Sequence, residues 1–180
     1  MSEIREAIGE DAKKNEVDYL SQVFLFKNLK DEHLSRILSL TTIVKVPAGH
    51  ILITEGTKGD SLYIIRKGEV EVSRSLILPL EFLRGVRQDK ALSRLSDSDR
   101  AVFGELVLFE DQTRSATVRC LTDCSFYELK KEAFLRFAEG HQEIGCILFK
   151  NLAQMVSERL RRATNDVVKL ATALSIALRR

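Results

Sequence analysis

The stretch Val46-Pro47-Ala48-Gly49-His50-Ile51-Leu52-Ile53-Thr54-Glu55-Gly56-Thr57-Lys58-Gly59-Asp60-Ser61-Leu62-Tyr63-Ile64-Ile65-Arg66-Lys67-Gly68-Glu69-Val70-Glu71-Val72 decides the fold. Glycines and a proline cut it into short apolar runs. Ile43-Val44-Lys45-Val46 ends at the turn Pro47-Ala48-Gly49, and Ile51-Leu52-Ile53 ends near Gly56. Gly59-Asp60 then leads into Leu62 to Ile65, and Lys67-Gly68 leads into Val70 to Val72. Runs of β-branched and aromatic residues closed by such residues read as strands joined by tight turns. Their regular spacing predicts a sandwich or jelly-roll. For Gly49 and Gly68, turn geometry alone explains the residue.

Downstream, Phe103-Gly104-Glu105-Leu106-Val107-Leu108-Phe109-Glu110-Asp111-Gln112-Thr113-Arg114-Ser115-Ala116-Thr117-Val118 has the layout of an anion site. An apolar strand end meets a Gly-Glu-Leu turn, a short helical piece follows, and Arg114 stands just before the next strand, Ser115 to Cys120. Glycine lets a ligand approach the main chain, and the first N–H groups of a helix have no partner within it. Such groups attract phosphate. Arg114 adds a permanently charged fork for two phosphate oxygens, and Glu105 a carboxylate able to accept from sugar hydroxyls. Together they suggest a small phosphorylated nucleoside. On residue types alone, an ion pair between Glu105 and Arg114, or from either to the surface, remains the alternative.

These two blocks carry a family resemblance. Residues 103–118 resemble, without gap, the phosphate-binding cassette of cyclic nucleotide-binding domains, and Val46 to Val72 is similar to that family's glycine-punctuated roll; the resemblance spans about residues 20–165. It implies that Arg114 pairs with a cyclic phosphate and that Glu105 binds the ribose 2′-hydroxyl. Phe103 belongs to the cassette. Gly104 and Leu106 would offer main-chain contacts, and Ser115 and Ala116 backbone or hydroxyl donors. A helix beginning near residue 144 would close over the base, bringing Thr164 or Asn165 to the adenine edge. Members preferring cGMP often carry threonine after the arginine. Ser115 stands there instead, which points to cAMP, with cGMP as the second candidate.

Residues 73–100 depart from the family pattern. Ser75-Leu76-Ile77-Leu78-Pro79-Leu80-Glu81-Phe82-Leu83-Arg84-Gly85 is longer and more apolar than the usual hairpin, and Asp97-Ser98-Asp99-Arg100 replaces the Gly-Asp that enters the cassette. The two acids read as a polar turn, because a calcium loop needs further oxygen ligands at regular spacing.

Outside the roll the period becomes helical. Residues 3–18 read as a weakly amphipathic helix, and a second starts at Asp31 with Leu34, Ile37, Leu38 and Thr41 in register. Beyond the strand Ser125 to Leu129, a short helix runs from Lys130 to Glu139 and stops at Gly140. A long one follows from about Ile144 to Leu178. Phe149, Ala153, Val156, Leu160, Ala163, Val167, Leu170, Leu174 and Ala177 step along it by four and three, a seam of about four heptads. That seam either pairs two copies through residues 149–177 or folds back onto the roll. Arg161-Arg162-Ala163-Thr164 also resembles a basophilic kinase site, although a charged stretch of helix accounts for it.

Composition sets the outer bounds. With 180 residues, 44% hydrophobic and 30% charged, the chain suits one globular domain with a helical extension. The net charge of +2 excludes a molecule-wide polyanion-binding surface, and the basic excess gathers in residues 150–180. No apolar run spans a bilayer and the N-terminus is too acidic for a secretory signal, so the expected location is cytoplasmic. Three cysteines imply no disulfide framework. Cys120 and Cys124 have no second pair to complete a metal site and read as core thiols. His33, His50 and His141 are scattered, and neither a Gly-x-Ser-x-Gly nor a Walker motif occurs, so no enzyme, metal or cofactor is expected.

The expected fold is α+β, mainly β: a jelly-roll-like β-roll with N-terminal helices and a long C-terminal helix. Its parts are residues 1–41, 42–130 and 131–180. The expected function is a cyclic nucleotide-binding module that signals through movement of the C-terminal helix to an effector protein the sequence does not name. A scaffold without ligand and a truncated DNA-binding regulator are the alternatives. Nucleic acid and membrane are not expected as partners.

Overall fold

The computed structural model describes residues 4–6, 10–75, 89–109 and 113–178. Two antiparallel sheets form a roll. The first has the order β1 (Ile4–Glu6), β2 (Thr41–Val46), β9 (Cys124–Lys130), β4 (Ser61–Lys67) and β7 (Val102–Phe103). The second runs β3 (Ile51–Ile53), β8 (Thr117–Cys120), β5 (Glu69–Ser75) and β6 (Asp89–Ser96). Helices α1 (Glu10–Ser21), α2 (Asp31–Ser39), α3 (Lys131–Gly140) and α4 (Gln142–Ala177) complete it, with 3-10 turns at Phe24–Phe26 and Glu105–Leu108.

The alternation of side chains along a strand explains why β4 and β9 read as unbroken apolar runs. Leu62, Ile64, Tyr127 and Leu129 face the helices, where they pack with Leu20, Leu25, Phe26, Leu34, Phe134 and Leu148. Tyr63, Ile65 and Phe126 face the other way and meet Val70, Phe103, Val118 and Cys120 between the sheets. The central sheet is thus covered on both faces. Each such aliphatic or aromatic side chain contributes about 1.5–3 kcal/mol on burial.

Several boundaries depart from the sequence reading. Residues 3–18 are not one helix: Ile4–Glu6 pairs antiparallel with Ile43 to Lys45, and α1 starts only at Glu10. The open edge of β2 supplies a ladder of backbone partners, which outweighs the modest helix propensity of three residues. Thr41 begins β2 instead of ending α2. Asp89–Ser96, which the sequence does not mark as a strand, pairs antiparallel with β5. The apolar stretch 76–88 lies outside the described residues. Asp97–Arg100 is the expected polar turn: Asp97 accepts from Gly68 N at 3.0 Å, and Asp99 accepts from Ser96 N at 3.1 Å.

Buried polar contacts and one close backbone approach place the helices. The buried Glu16 of α1 accepts from the Tyr127 hydroxyl and from Arg66, while Tyr19 donates to Ile65 O at 2.6 Å. At the α3–α4 corner, a β-carbon on Gly145 would lie 2.5 Å from Ala138 O, so the helices approach closely there only because the residue is glycine. The face of α4 that packs on the roll is Ile144, Leu148, Asn151 and Leu152. Asn151 donates to Leu25 O and Lys27 O at 3.0 and 2.8 Å. This is a different stripe from the predicted seam. Leu160, Val167, Leu170 and Leu174 do not fold back; they stand in solvent, at least 60% exposed.

Candidate functional site

Strand β7 ends at Gly104, whose φ of 75° lies in the left-handed region that favours glycine. The chain turns there into Glu105–Leu108, so that the first N–H groups of the 3-10 turn have no partner inside it. Residues 110–112 lie outside the described residues, and the chain returns at Thr113. Arg114 is then fixed by its backbone: its N–H donates to Thr57 O at 2.8 Å and its carbonyl accepts from Gly56 N at 2.9 Å. The loop between β3 and β4 therefore sets where Arg114 stands.

The Arg114 side chain is only 8% exposed, in a cradle that two glycines make possible. A β-carbon on Gly59 would overlap its guanidinium, and one on Gly104 would come within 2.8 Å of it. Its cation lies 5.9 Å from the centroid of the Tyr63 ring. Its one hydrogen bond among the described residues, to Gly104 O, is long at 3.4 Å. Burial pulls the guanidinium pKa below its ordinary value, against the influence of the Tyr63 phenol and of the Asp60 and Glu128 carboxylates. Arginine remains cationic under such shifts. A desolvated cation with most of its five donors unused among the described residues is suited to an oxyanion.

Beneath this cation the register of β4 against β9 sets Ser61 opposite Lys130 and Tyr63 opposite Glu128. Glu128 accepts from Ser61 at 2.8 Å and from the Tyr63 hydroxyl at 3.2 Å. Burial first, and then the charge of Glu128, push the Tyr63 phenol well above its usual range, so it stays a donor.

Glu105 is 4% exposed, and its partner is neither Arg114 nor solvent. Arg159 of α4 donates to Glu105 Oε1 at 2.5 Å and, with its other terminal nitrogen, to Val102 O. The alternative of a Glu105–Arg114 pair is thereby excluded for this arrangement. Nothing in the sequence singled out Arg159, because it is one of several bases on a charged helix and its reach back to residue 105 is a property of the fold.

The structure brings Gly104, which opens the turn Glu105–Leu108, against the side chain of Arg114, which Ser115 and Ala116 follow in the chain, but treats the other expected residues differently. The Phe103 side chain is core, stacked on Tyr63 at 5.7 Å and edge-on to Phe126 at 5.8 Å. Leu106 and Ser115 are exposed and Ala116 half-buried. Thr164 and Asn165 are exposed on α4, and neither bonds the cassette among the described residues. The Thr164 hydroxyl is spent on Leu160 O at 2.9 Å, as β-hydroxyls on helices commonly are. Phe109, at the end of the 3-10 turn, meets Phe149 of α4 at 6.4 Å, a second link between cassette and helix.

Cys120 and Cys124 are buried, and burial, then the neighbouring Cys124, push the Cys120 thiol up to about 12. That makes it a poor metal ligand at neutral pH. No group of three or more His, Cys, Asp or Glu gathers as a metal site among the described residues. No helix among them is long and apolar enough to cross a membrane.

The family described as the cyclic nucleotide-binding domain matches residues 43–141. The cAMP-dependent protein kinase regulatory subunit of Emericella nidulans is 31% identical over 118 residues, which is 66% of this chain and 26% of that protein. The cGMP-dependent protein kinase egl-4 of Caenorhabditis briggsae is 26% identical over 115 residues, 64% of this chain and 14% of that one. The chain thus spans about a quarter or less of the length of these relatives. Among solved structures, the catabolite activator protein of Thermus thermophilus superposes with a TM-score of 0.69 at 26% identity, covering 82% of this chain and 63% of the other.

Proposed function

The chain belongs to the cyclic nucleotide-binding domain family, and from that premise we propose that it is a cyclic nucleotide sensor, with cAMP as its ligand, whose output is movement of α4. The observation that carries this reading is the state of Arg114: a buried guanidinium, cradled by Gly59 and Gly104, whose one hydrogen bond among the described residues is a long one. A cyclic phosphate is a compact monoanion that the fork can bind at two oxygens. Gly104 lets the ligand come close to the backbone N–H groups that open the 3-10 turn.

The second half of the proposal rests on Glu105. The same carboxylate that would accept from a ribose 2′-hydroxyl holds Arg159 of α4. A ligand that draws on Glu105 therefore biases where the helix lies, and an equilibrium between two helix placements shifts by the difference in affinity for them. Ser115, where family members that prefer cGMP often carry threonine, supports cAMP over cGMP. The bare apolar face Leu160 to Leu174 supports a homodimer through α4 in the same molecule.

Calorimetric titration with cAMP and then cGMP, alongside Arg114→Ala, tests the reading. Binding with a Kd of about micromolar or tighter, lost in the variant, is the expected result. No heat from either nucleotide in folded protein overturns it and leaves a scaffold that assembles through α4.

A further inference from the structure

A buried cation needs compensation for the water it has lost, and an ion pair is the usual form. Among the described residues Arg114 makes no ion pair, and its one hydrogen bond, to Gly104 O, is long at 3.4 Å. What lies against its charge is an aromatic face. The guanidinium carbon stands over the Tyr63 ring, 5.9 Å from its centroid, within reach of a cation–π attraction. The two ways of holding a cation differ in what they consume: a carboxylate takes up the N–H donors of the fork, whereas a ring attracts the charge and leaves the donors unspent.

The ring is itself firmly held. Its hydroxyl donates to Glu128 Oε1 at 3.2 Å, Phe103 stacks on it at 5.7 Å, and the Phe126 ring stands at 77° to it, 6.2 Å away. It is buried, so water screens its attraction for the cation little. Phe103 directly precedes Gly104, whose carbonyl Arg114 reaches, and Tyr63 therefore joins the first residue of the cassette to its arginine.

Resting on the sensor reading above, we propose that Tyr63 is a positioning residue: the face of its ring keeps the Arg114 guanidinium inside the cradle of Gly59 and Gly104 with its donors free for the phosphate.

The effect on binding follows from populations. The alternative open to Arg114 is rotation of its long side chain into water, where the cation is hydrated. A ligand that needs the guanidinium in the cradle binds with an affinity reduced by the fraction of time it spends there. A weaker ring face lowers that fraction, and the affinity with it, without any contact between Tyr63 and the ligand. Phenylalanine keeps the face and gives up only the bond to Glu128, which retains Ser61 at 2.8 Å and Lys130 at 3.3 Å. Leucine loses the face.

The test compares the original protein with Tyr63→Phe, with the same variant carrying one, two or three fluorines on the new ring, and with Tyr63→Leu, all checked for folding by thermal melting. Fluorine drains charge from the ring face at nearly constant volume, so the series varies the attraction and spares the packing. Affinity for cAMP is read by calorimetry, and the order of the Arg114 Nε–H bond by nitrogen relaxation without nucleotide. Tyr63→Phe is expected to bind within about threefold of the original protein, each fluorine to weaken binding further, to about fivefold below Tyr63→Phe at three, and Tyr63→Leu to bind about tenfold more weakly. The order of the Arg114 side chain falls along the same series. If Tyr63→Leu fails to fold, the fluorinated series decides. Equal affinity across that series, equal Arg114 order across it, or a Tyr63→Phe as weak as a folded Tyr63→Leu overturns the proposal. If the original protein binds neither cAMP nor cGMP, the sensor reading fails and Arg114 order decides alone: stepwise loss supports the role of Tyr63, and unchanged order overturns it.

Discussion

Arg159 reaches across from α4 to the carboxylate of Glu105, joining residues 54 positions apart at 2.5 Å, and the same guanidinium takes up Val102 O. The long helix is thereby fastened to the strand and turn that open the cassette. If a ribose hydroxyl competes for Glu105, breaking this tie is how the helix learns of the ligand. Arg159→Ala is then expected to show, without nucleotide, the faster amide exchange over residues 155–165 that the original protein shows only with it. Exchange in the variant that still responds to nucleotide by the same amount would place the coupling elsewhere.

Arg114→Ala removes a cation that the fold has already desolvated. Loss of one partner of a buried charge-assisted pair costs about 2–5 kcal/mol of binding, or about 30-fold to several thousandfold in Kd. Arg114→Lys should recover little, because an ammonium cannot supply the planar fork. Calorimetry on both variants checks this, and full affinity in Arg114→Lys would show that only a point charge is needed.

Gly59 offers a subtler probe. Its backbone is in an ordinary conformation, yet an added methyl would collide with the Arg114 guanidinium. Gly59→Ala is expected to keep the fold, shift the melting temperature by only a few degrees, and weaken nucleotide binding about tenfold by pushing the fork out of line. A variant that binds normally would show that the cradle is wider than drawn.

Much of this architecture was legible because it is written in local chemistry. The glycine-punctuated strands, the left-handed Gly104 and the lone Arg114 ahead of β8 each follow from residue type and spacing. Other features arise only from tertiary pairing. Ile4–Glu6 is a strand because β2 offers it an edge, and Asp89–Ser96 because β5 does. Arg159, Tyr63 and Lys130 join the site through the roll of the sheet, and no periodicity marks them. The resemblance puts Thr164 and Asn165 at the ligand, whereas α4 leaves the roll after residue 159 and carries both into solvent. Ile144, Leu148 and Leu152, not the heptad seam, hold the helix down.

Lys130 Nζ donates to Asp60 at 3.0 and 3.4 Å, and this pair carries a pH signature. The hydrogen bond from Lys130 draws the Asp60 pKa below its ordinary value despite partial burial. Burial alone would lower that of Lys130, but the bond to Asp60 and the charges of Glu128 and Asp60 leave it raised. A lowered carboxylate adds stability above its unfolded pKa of about 4, lost as pH falls through the folded value; a raised ammonium adds stability below about 10.4, lost as pH rises through its own. The difference in melting temperature between the original protein and Lys130→Met should thus be flat from about pH 5 to 9 and shrink outside that window. A difference that varies steeply near neutrality would implicate another group.

The seam on α4 makes the last prediction. Leu160, Val167 and Leu174 recur every seven residues with Ala163, Leu170 and Ala177 between them, and the large members of this stripe are 60–67% exposed. An isolated helix face of this kind gains about 1.5–3 kcal/mol for each large apolar side chain it buries, against an association cost of about 4–15 kcal/mol. Four such residues from each of two chains exceed the lower end of that cost, and the small alanines between them permit close approach of the helices. Sedimentation equilibrium should therefore show a monomer–dimer equilibrium in the original protein. Leu170→Glu with Leu174→Glu should give the single-chain mass throughout, because like carboxylates would face each other across the seam. The substituted positions lie beyond every contact that α4 makes with the roll, so the melting temperature of the dilute protein and its affinity for nucleotide should be unchanged. A single-chain mass for the original protein at about 100 μM would remove the dimer.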